Sequence, residues 1–382
     1  MKRPLRIVLW LLAPPVLLLL AAEVAAGFTR AGNAAIYVAD PDLFLVRKPD
    51  QHGFTMGNGI WNECHINRHG LRGEDLPEPR PPGERWVLCV GDSFTFGGGL
   101  DDHQAWPQQL QALLGPPGSS GVRVLNGGAL GWDTRWQRRY LEARALRDLA
   151  PDVVVLGWNW NDLNVNPNQE TGPQYVRLFL EAKGTWLAPF GRSTLLRESH
   201  LFRWLYMSAR MSTDIPGDDV LQRRLEEYGR TMKSVAIDPE LRCADARRRR
   251  YGDAPPDMAF WEATDTPVWR MARAELAAVQ QSCAAHGTAF VVAMLPEPSW
   301  IGPGTFPAVE RLAALLDALG VPWVDVQEDF LGRGPRGAAV GRRAELWQRH
   351  DPLHPTADGQ RLQAEAVGRL LREHGLVPDA PP

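Results

Sequence analysis

A serine, a histidine and an aspartate in this chain stand where hydroxyl chemistry would need them. Ser93 follows the apolar run Val87-Leu88-Cys89-Val90 and the pair Gly91-Asp92, and a cluster of small residues comes after it. A serine hydroxyl is a weak nucleophile at neutral pH and needs an adjacent base. His354 suits that task, because an unperturbed imidazole titrates at about 6.5. Asp351 precedes it in a tight segment with Pro352 and Pro355, so one short loop could present both. A carboxylate there would hold the imidazole tautomer and stabilise the imidazolium. Taken alone, Gly91-Asp92-Ser93 reads either as a polar turn that ends a strand or as a nucleophile in its turn. Asp92 reads as structural, tying the turn to nearby backbone.

Acyl transfer also needs donors aimed at a developing oxyanion, each worth about 3 kcal/mol of barrier. Two further stretches supply small residues and asparagines: Asn126-Gly127-Gly128-Ala129-Leu130-Gly131-Trp132-Asp133, and Gly157-Trp158-Asn159-Trp160-Asn161-Asp162.

The elements that would position these groups alternate from residue 86 onward. Short apolar runs at 86–90, 122–125, 153–156, 289–295 and 321–326 read as strands. Helical patterns at 106–114, 134–149, 268–285 and 308–319 separate them. A last helix starts at a Thr356 cap, carries Leu362, Ala366, Val367, Leu370 and Leu371 on one face, and ends at Gly375. Continuous apolar strands between helices predict an α/β domain, 86–376, with a parallel five-stranded sheet covered on both faces. In such sheets ligands bind beyond the carboxyl ends of the strands, where the strand order reverses. Ser93 and the asparagine-rich stretches all follow strand ends.

Other segments fall outside the alternation. Residues 27–85 look loop-like and end in the Pro-rich "LPEPRPPGER", which predicts a linker or stalk. Residues 164–266 form a long insertion with helical stretches at 201–211 and 220–228, read as a helical cap. Its "GTWLAPFG" and "LFRWLYMSARM" suit ordinary packing or a lid over the site. Residues 377–382 are a frayed tail. At the start, Lys2, Arg3 and Arg6 precede an uncharged apolar stretch, 7–22, before Glu23. Residues 7–26 would make a helix of about 30 Å, enough to cross a bilayer. The expectation for 1–26 is an N-terminal transmembrane anchor, its basic end in the cytoplasm and the rest outside. The alternative is a cleaved signal peptide ending near Val24-Ala25-Ala26. Both export the catalytic part, to the periplasm or the cell surface.

Other features exclude more than they select. A net charge of −3 gives no polyanion signal, so nucleic acid is not an expected partner, and the run Arg247-Arg248-Arg249-Arg250 reads as solvated surface. Fifteen tryptophans suit cores, interfaces and sugar surfaces alike. Export permits disulfides, and a Cys243–Cys283 pair is a candidate that spacing does not settle. Cys89 reads as a buried small hydrophobe. His350-Asp351 lacks the helical histidine pair of a metal site, and His65 and His69 beside Cys64 read as surface residues. Gly332-Arg333-Gly334-Pro335-Arg336-Gly337 matches a dinucleotide fingerprint only literally and reads as a loop.

The ordered blocks resemble the SGNH, or GDSL, hydrolase family: a G-D-S block, a later Gly, a G-x-N-D block and a C-terminal D-x-x-H. The resemblance spans roughly 86–162 and 289–371. It implies a three-layer, flavodoxin-like fold, Ser93 as nucleophile, His354 as base and Asp351 as the residue that orients it. It further implies an oxyanion hole made by the backbone amides of Ser93 and Gly131 and the side chain of Asn161. The third block is two residues longer than the family pattern, so Asn159 is an alternative donor. Asn161 is preferred because Asp162-Leu163 follow it. "VGDSFTFGGGL", "ALGWDT", "NDL", "DPLHPTADGQRLQAEAV" and "INRHGLRGEDL", with the N-terminal stretch, look like a membrane-anchored bacterial branch.

The function so implied is an exported esterase working through an acyl-enzyme on a small-molecule or glycan ester, with no metal or organic cofactor. Two alternatives remain open: an O-acyltransferase acting on an envelope polysaccharide with the same residues, and a non-catalytic envelope scaffold or glycan-binding protein. The oligomeric state is unknown from sequence.

Overall fold

The computed structural model describes residues 3–35, 37–40, 43–57, 60–118, 121–159, 162, 198–214, 267–296, 307–330, 332, 346–348 and 354–378. The helix Arg3–Ala26 leads into two antiparallel pairs. β1 (Tyr37–Asp40) pairs with β2 (Phe44–Arg47), and β3 (Gln51–Gly57) pairs with β4 (Ile60–Ile66). Five parallel strands follow: β5 (Arg85–Gly91), β6 (Val122–Asn126), β7 (Val153–Trp158), β8 (Ala289–Met294) and β9 (Trp323–Asp325). Their spatial order is β6-β5-β7-β8-β9. The chain leaves β5 to one side for β6 and returns on the other side for β7. That reversal beside β5 is the crevice where open α/β sheets bind ligands.

The strands form because their residues are buried on both faces. All six residues of β7 are buried, as are Val87 to Val90 of β5. Each such aliphatic side chain contributes about 1.5–3 kcal/mol on leaving water. One face packs against the helices Thr134–Tyr140, Pro267–Ala285 and Pro307–Leu319 through Tyr140, Leu276, Val279 and Leu312. The other packs against Trp106–Leu114 and Ala357–Glu373 through Trp106, Leu110, Val367 and Leu371. This is the expected three-layer α/β fold with its parallel five-stranded sheet. The helix expected at 134–149 is interrupted: after Tyr140 it widens into a π-helical turn, Leu141–Ala145, before Leu146–Asp148. Tryptophan serves largely as core, with Trp106, Trp158 and Trp347 almost fully enclosed.

The linker reading of 27–85 is overturned. β4 bridges to Arg72 through Ile66, and Arg72 bridges in turn to Asn126 at the edge of the main sheet. Leu43, Leu71 and Leu76 join the core on the same face as Trp86 and Trp132. Hydrophobic alternation did not announce these strands because polar side chains are buried among them, including Arg47, Gln51, Asn62 and Arg72. His65 and His69 are half-buried rather than plain surface; the His65 ring bonds Asp102 and His69 faces Glu78.

Of the insertion, the helix His200–Asp214 is described and matches the expected 201–211; the stretch 220–228 lies outside the described residues. Glu23 caps that helix from the N-terminal helix, accepting from Ser199 Oγ (2.7 Å), His200 N (2.6 Å) and Leu201 N (3.0 Å). Among the described residues no helix is long and apolar enough to cross a membrane. Cys64, Cys89 and Cys283 are buried free thiols; Cys243, the candidate partner of Cys283, lies outside the described residues.

If 27–85 is part of the domain, Leu71→Ala must open a core cavity. The expected cost is about 2–5 kcal/mol, read as a lowered midpoint in urea unfolding. A stalk residue would leave the midpoint unchanged.

Candidate active site

Ser93 opens a four-residue helix, Ser93–Phe96, immediately after β5. Asp92 caps it, its Oδ1 accepting from Phe94 N at 2.9 Å, which is the structural role expected of it. The chain turns this sharply because side-chain volume is missing on both sides. Gly91 and Gly157, paired across β5 and β7, lie against Thr95 Oγ1, and a Cβ on either would collide with it. Gly97 then takes a left-handed φ of 85°, and both Gly97 N (3.0 Å) and Gly98 N (2.9 Å) donate to Ser93 O.

His354 arrives from the far end of the chain and places Nε2 2.7 Å from Ser93 Oγ. With the imidazole neutral, the hydroxyl donates to that nitrogen. Its ring lies 4.9 Å from that of Phe94, centroid to centroid. The helix Ala357–Glu373 behind it is pinned to the nucleophile turn by buried Gln360. Its Nε2 donates to Phe94 O (3.2 Å), and its Oε1 accepts from Trp106 N (2.7 Å). Thr356 caps the helix as expected, accepting from Gly359 N.

The loop after β6 comes alongside. Gly127 N donates to Cys89 O (2.7 Å) and Ala129 N to Gly91 O (2.9 Å), lacing it to the end of β5. Arg47 donates to Gly128 O from outside. Gly131 sits in this loop at φ 73°, a conformation glycine adopts freely, with nothing within 4 Å of where a Cβ would stand.

Asn159, the alternative oxyanion donor, has one of its two amide N–H groups engaged. It is fully buried at the end of β7, and its Nδ2 donates to Leu295 O at 3.0 Å. Asp162 folds the segment back: its Oδ2 accepts from Asn159 N (2.9 Å), and its Oδ1 from Thr134 Oγ1 (3.0 Å) and Gln137 Nε2 (3.2 Å). Burial pushes the Asp162 carboxyl well above the ordinary carboxylate range, and the nearby Asp92 adds to the effect. Asn161 and Asp351 lie outside the described residues. The structure therefore brings Ser93 and His354 together and sets the Gly131 loop beside them.

Sequence reading missed the residue that holds the nucleophile turn from below. Arg72 is buried, stacks 4.6 Å from the Phe96 ring and spends its guanidinium on five partners. These are Asp102 Oδ1 (2.6 Å), Phe96 O (2.7 Å), Gly97 O (2.9 Å), Leu100 O (2.6 Å) and Glu63 O (3.0 Å). That matches the five N–H donors an arginine owns. Its only sequence trace was its place in "INRHGLRGEDL".

A hydroxyl and an imidazole meeting at the switch point of a parallel α/β sheet define a serine-hydrolase type of site. The family model for the GDSL-like lipase/acylhydrolase family matches residues 89–301, more than half of the chain, and the chain belongs to that family. It is an ester-hydrolysing enzyme. Similar solved structures include TesA, at 16% identity and TM-score 0.37, covering 76% of this chain and 99% of that one. Another is the psychrotrophic esterase EstA from Pseudoalteromonas sp., at 12% identity and TM-score 0.40, covering 76% and 98%. A third is an acetylxylan esterase from Geobacillus stearothermophilus, at 16% identity and TM-score 0.35, covering 77% and 97%. No curated protein matches the chain.

The raised Asp162 carboxyl has a signed consequence. A folded-state pKa above the unfolded value adds stability at low pH and loses it as pH rises through the folded value. Asp162→Asn removes that loss. The parent's unfolding free energy minus the variant's is expected to fall from pH 5 to pH 8 in urea unfolding; a difference that rises would contradict the assignment.

Proposed function

We propose that Ser93 attacks an ester carbonyl and carries the acyl group as a covalent intermediate. The observation that carries this reading is the 2.7 Å approach of His354 Nε2 to Ser93 Oγ. In the first half-reaction, the Ser93 oxygen bonds the carbonyl carbon while His354 Nε2 takes the hydroxyl proton. The tetrahedral intermediate collapses, the C–O bond to the alcohol breaks, and His354 returns the proton to the leaving oxygen. Water then attacks the acyl-enzyme, again with His354 as base, and Ser93 is regenerated. Asp351 is assigned to orient the imidazole. The backbone amides of Ser93 and Gly131 and the side chain of Asn161 are assigned to the oxyanion. Asn161 is preferred because Asp162 and Leu163 follow it, and because one Asn159 N–H is already bound to Leu295 O.

We also assign the N-terminal helix to a membrane, with the catalytic domain on the extracytoplasmic side. Its described side chains begin at Trp10, so the described apolar stretch stops short of the roughly 20 residues a span requires. The sequence continues that stretch back to Ile7, and its surface is apolar: Trp10 is 80% exposed and Leu18 71%. Such a surface is costly in water and stable in lipid.

The test is hydrolysis of short-chain aryl esters by the full chain beside Ser93→Ala. The variant is expected to lose about 10³-fold or more in kcat, since nucleophile removal leaves only residual catalysis. Equal turnover by both would sink the nucleophile assignment. Acyl loss accelerated only by added sugar acceptors would redirect the reading to acyl transfer.

A further inference from the structure

The proposed chemistry requires His354 to stay within reach of Ser93, yet the two sit on separate loops. One side chain joins those loops directly. Gln348 Nε2 donates to Gly98 O (2.8 Å), in the nucleophile turn, and to Pro355 O (3.0 Å), one residue beyond the histidine. Its backbone N donates to His354 O (3.0 Å), and Thr356 N donates to Leu346 O (2.8 Å). Leu346 to Gln348 thus runs as a short antiparallel splint along the histidine, and its Trp347 bridges Pro355. The turn is shaped to receive the amide. A Cβ on Gly99, where φ is 74°, would collide with Gln348 Oε1. A Cβ on Gly98 would stand 3.6 Å from His354 Nε2, so the turn that Gln348 grips also forms one wall of the imidazole's seat.

Resting on the proposed function, we infer that Gln348 is a positioning residue for the reaction: its amide clamps the histidine loop to the nucleophile turn and sets the Ser93–His354 distance. Backbone bonds of the splint hold His354 along its own loop, but only the Gln348 side chain spans to Gly98 among the contacts described around it. Both N–H groups of one primary amide are used, so a side chain of the same shape without donors cannot hold the two carbonyls.

Gln348→Met keeps the volume and removes both donors. Gln348→Glu keeps the shape, and its carboxylate repels the two carbonyls until it takes a proton, when it can donate to one. Both are assayed in the full chain with an aryl ester, alongside thermal unfolding. The expected result for Gln348→Met is a kcat lower by about 10- to 100-fold, the scale of a small misplacement of reacting groups, with KM within twofold of the parent. The ratio of kcat for Gln348→Glu to that for Gln348→Met is expected to rise as pH falls from 8 to 5.5. The inference is overturned if both variants keep the parent's kcat whatever happens to their thermal midpoints, or if that ratio stays flat with pH. If Gln348→Met does not fold, the Gln348→Glu pH profile against the parent decides by the same rule. No ester turnover by the parent itself would fail the proposed function, and the inference with it.

Discussion

The constraint on which this structure turns is a single hydrogen bond between groups at opposite ends of the domain's sequence, Ser93 Oγ to His354 Nε2. The parallel sheet supplies the frame: β5 ends at Gly91, two residues before Ser93, and packing of the helix Ala357–Glu373 on the helix Trp106–Leu114 brings His354 to the same strand end. Amide side chains then set the last ångströms. Gln360 ties the C-terminal helix to Phe94 O, and Gln348 ties the histidine loop to Gly98 O. Hydrogen bonds suit this work better than apolar packing, because they fix direction as well as contact.

A second device lies on the opposite side of the nucleophile turn. The segment before β5 contributes Arg72, whose partners are mainly carbonyls of the turn itself, and Arg47, which grips the neighbouring loop at Gly128. A turn rich in glycine gains entropy when released, so its fixed shape must come from outside. Carbonyls gathered around a guanidinium provide that. The N-terminal strands are therefore less an appendage than the floor of the site. Asp102 completes the arrangement by accepting from Arg72 and from the backbone of His65.

Much of this was legible in the residues. Val87 to Val90, Val153 to Leu156 and Phe290 to Met294 are apolar because they are buried on two faces, so the parallel sheet could be read with its order of elements. Ser93 and His354 were legible because chemistry restricts residue type as well as position. Two things were hidden. The strands from Tyr37 to Ile66 lack the clean alternation of a half-buried sheet, since Gln51 and Asn62 face inward and His52 and Ile60 face outward. Arg72 left only its place in a quoted stretch, and Gln348 left no local signature. An arginine among loop residues reads as surface until its carbonyl partners, distant in sequence, are brought around it. Asn159 against Asn161 shows the same limit: spacing left two donors, and the bond from Asn159 to Leu295 O is a long-range contact that spacing does not reveal.

The account's central claim is that His354 activates Ser93 in particular. The direct measurement is mass mapping of the adduct formed by a serine-directed phosphonate, with its rate compared between the parent and His354→Gln. The account predicts a single adduct on the peptide containing Ser93, formed rapidly in the parent and orders of magnitude more slowly in the variant. An adduct on another residue, or equal rates in both proteins, would contradict it.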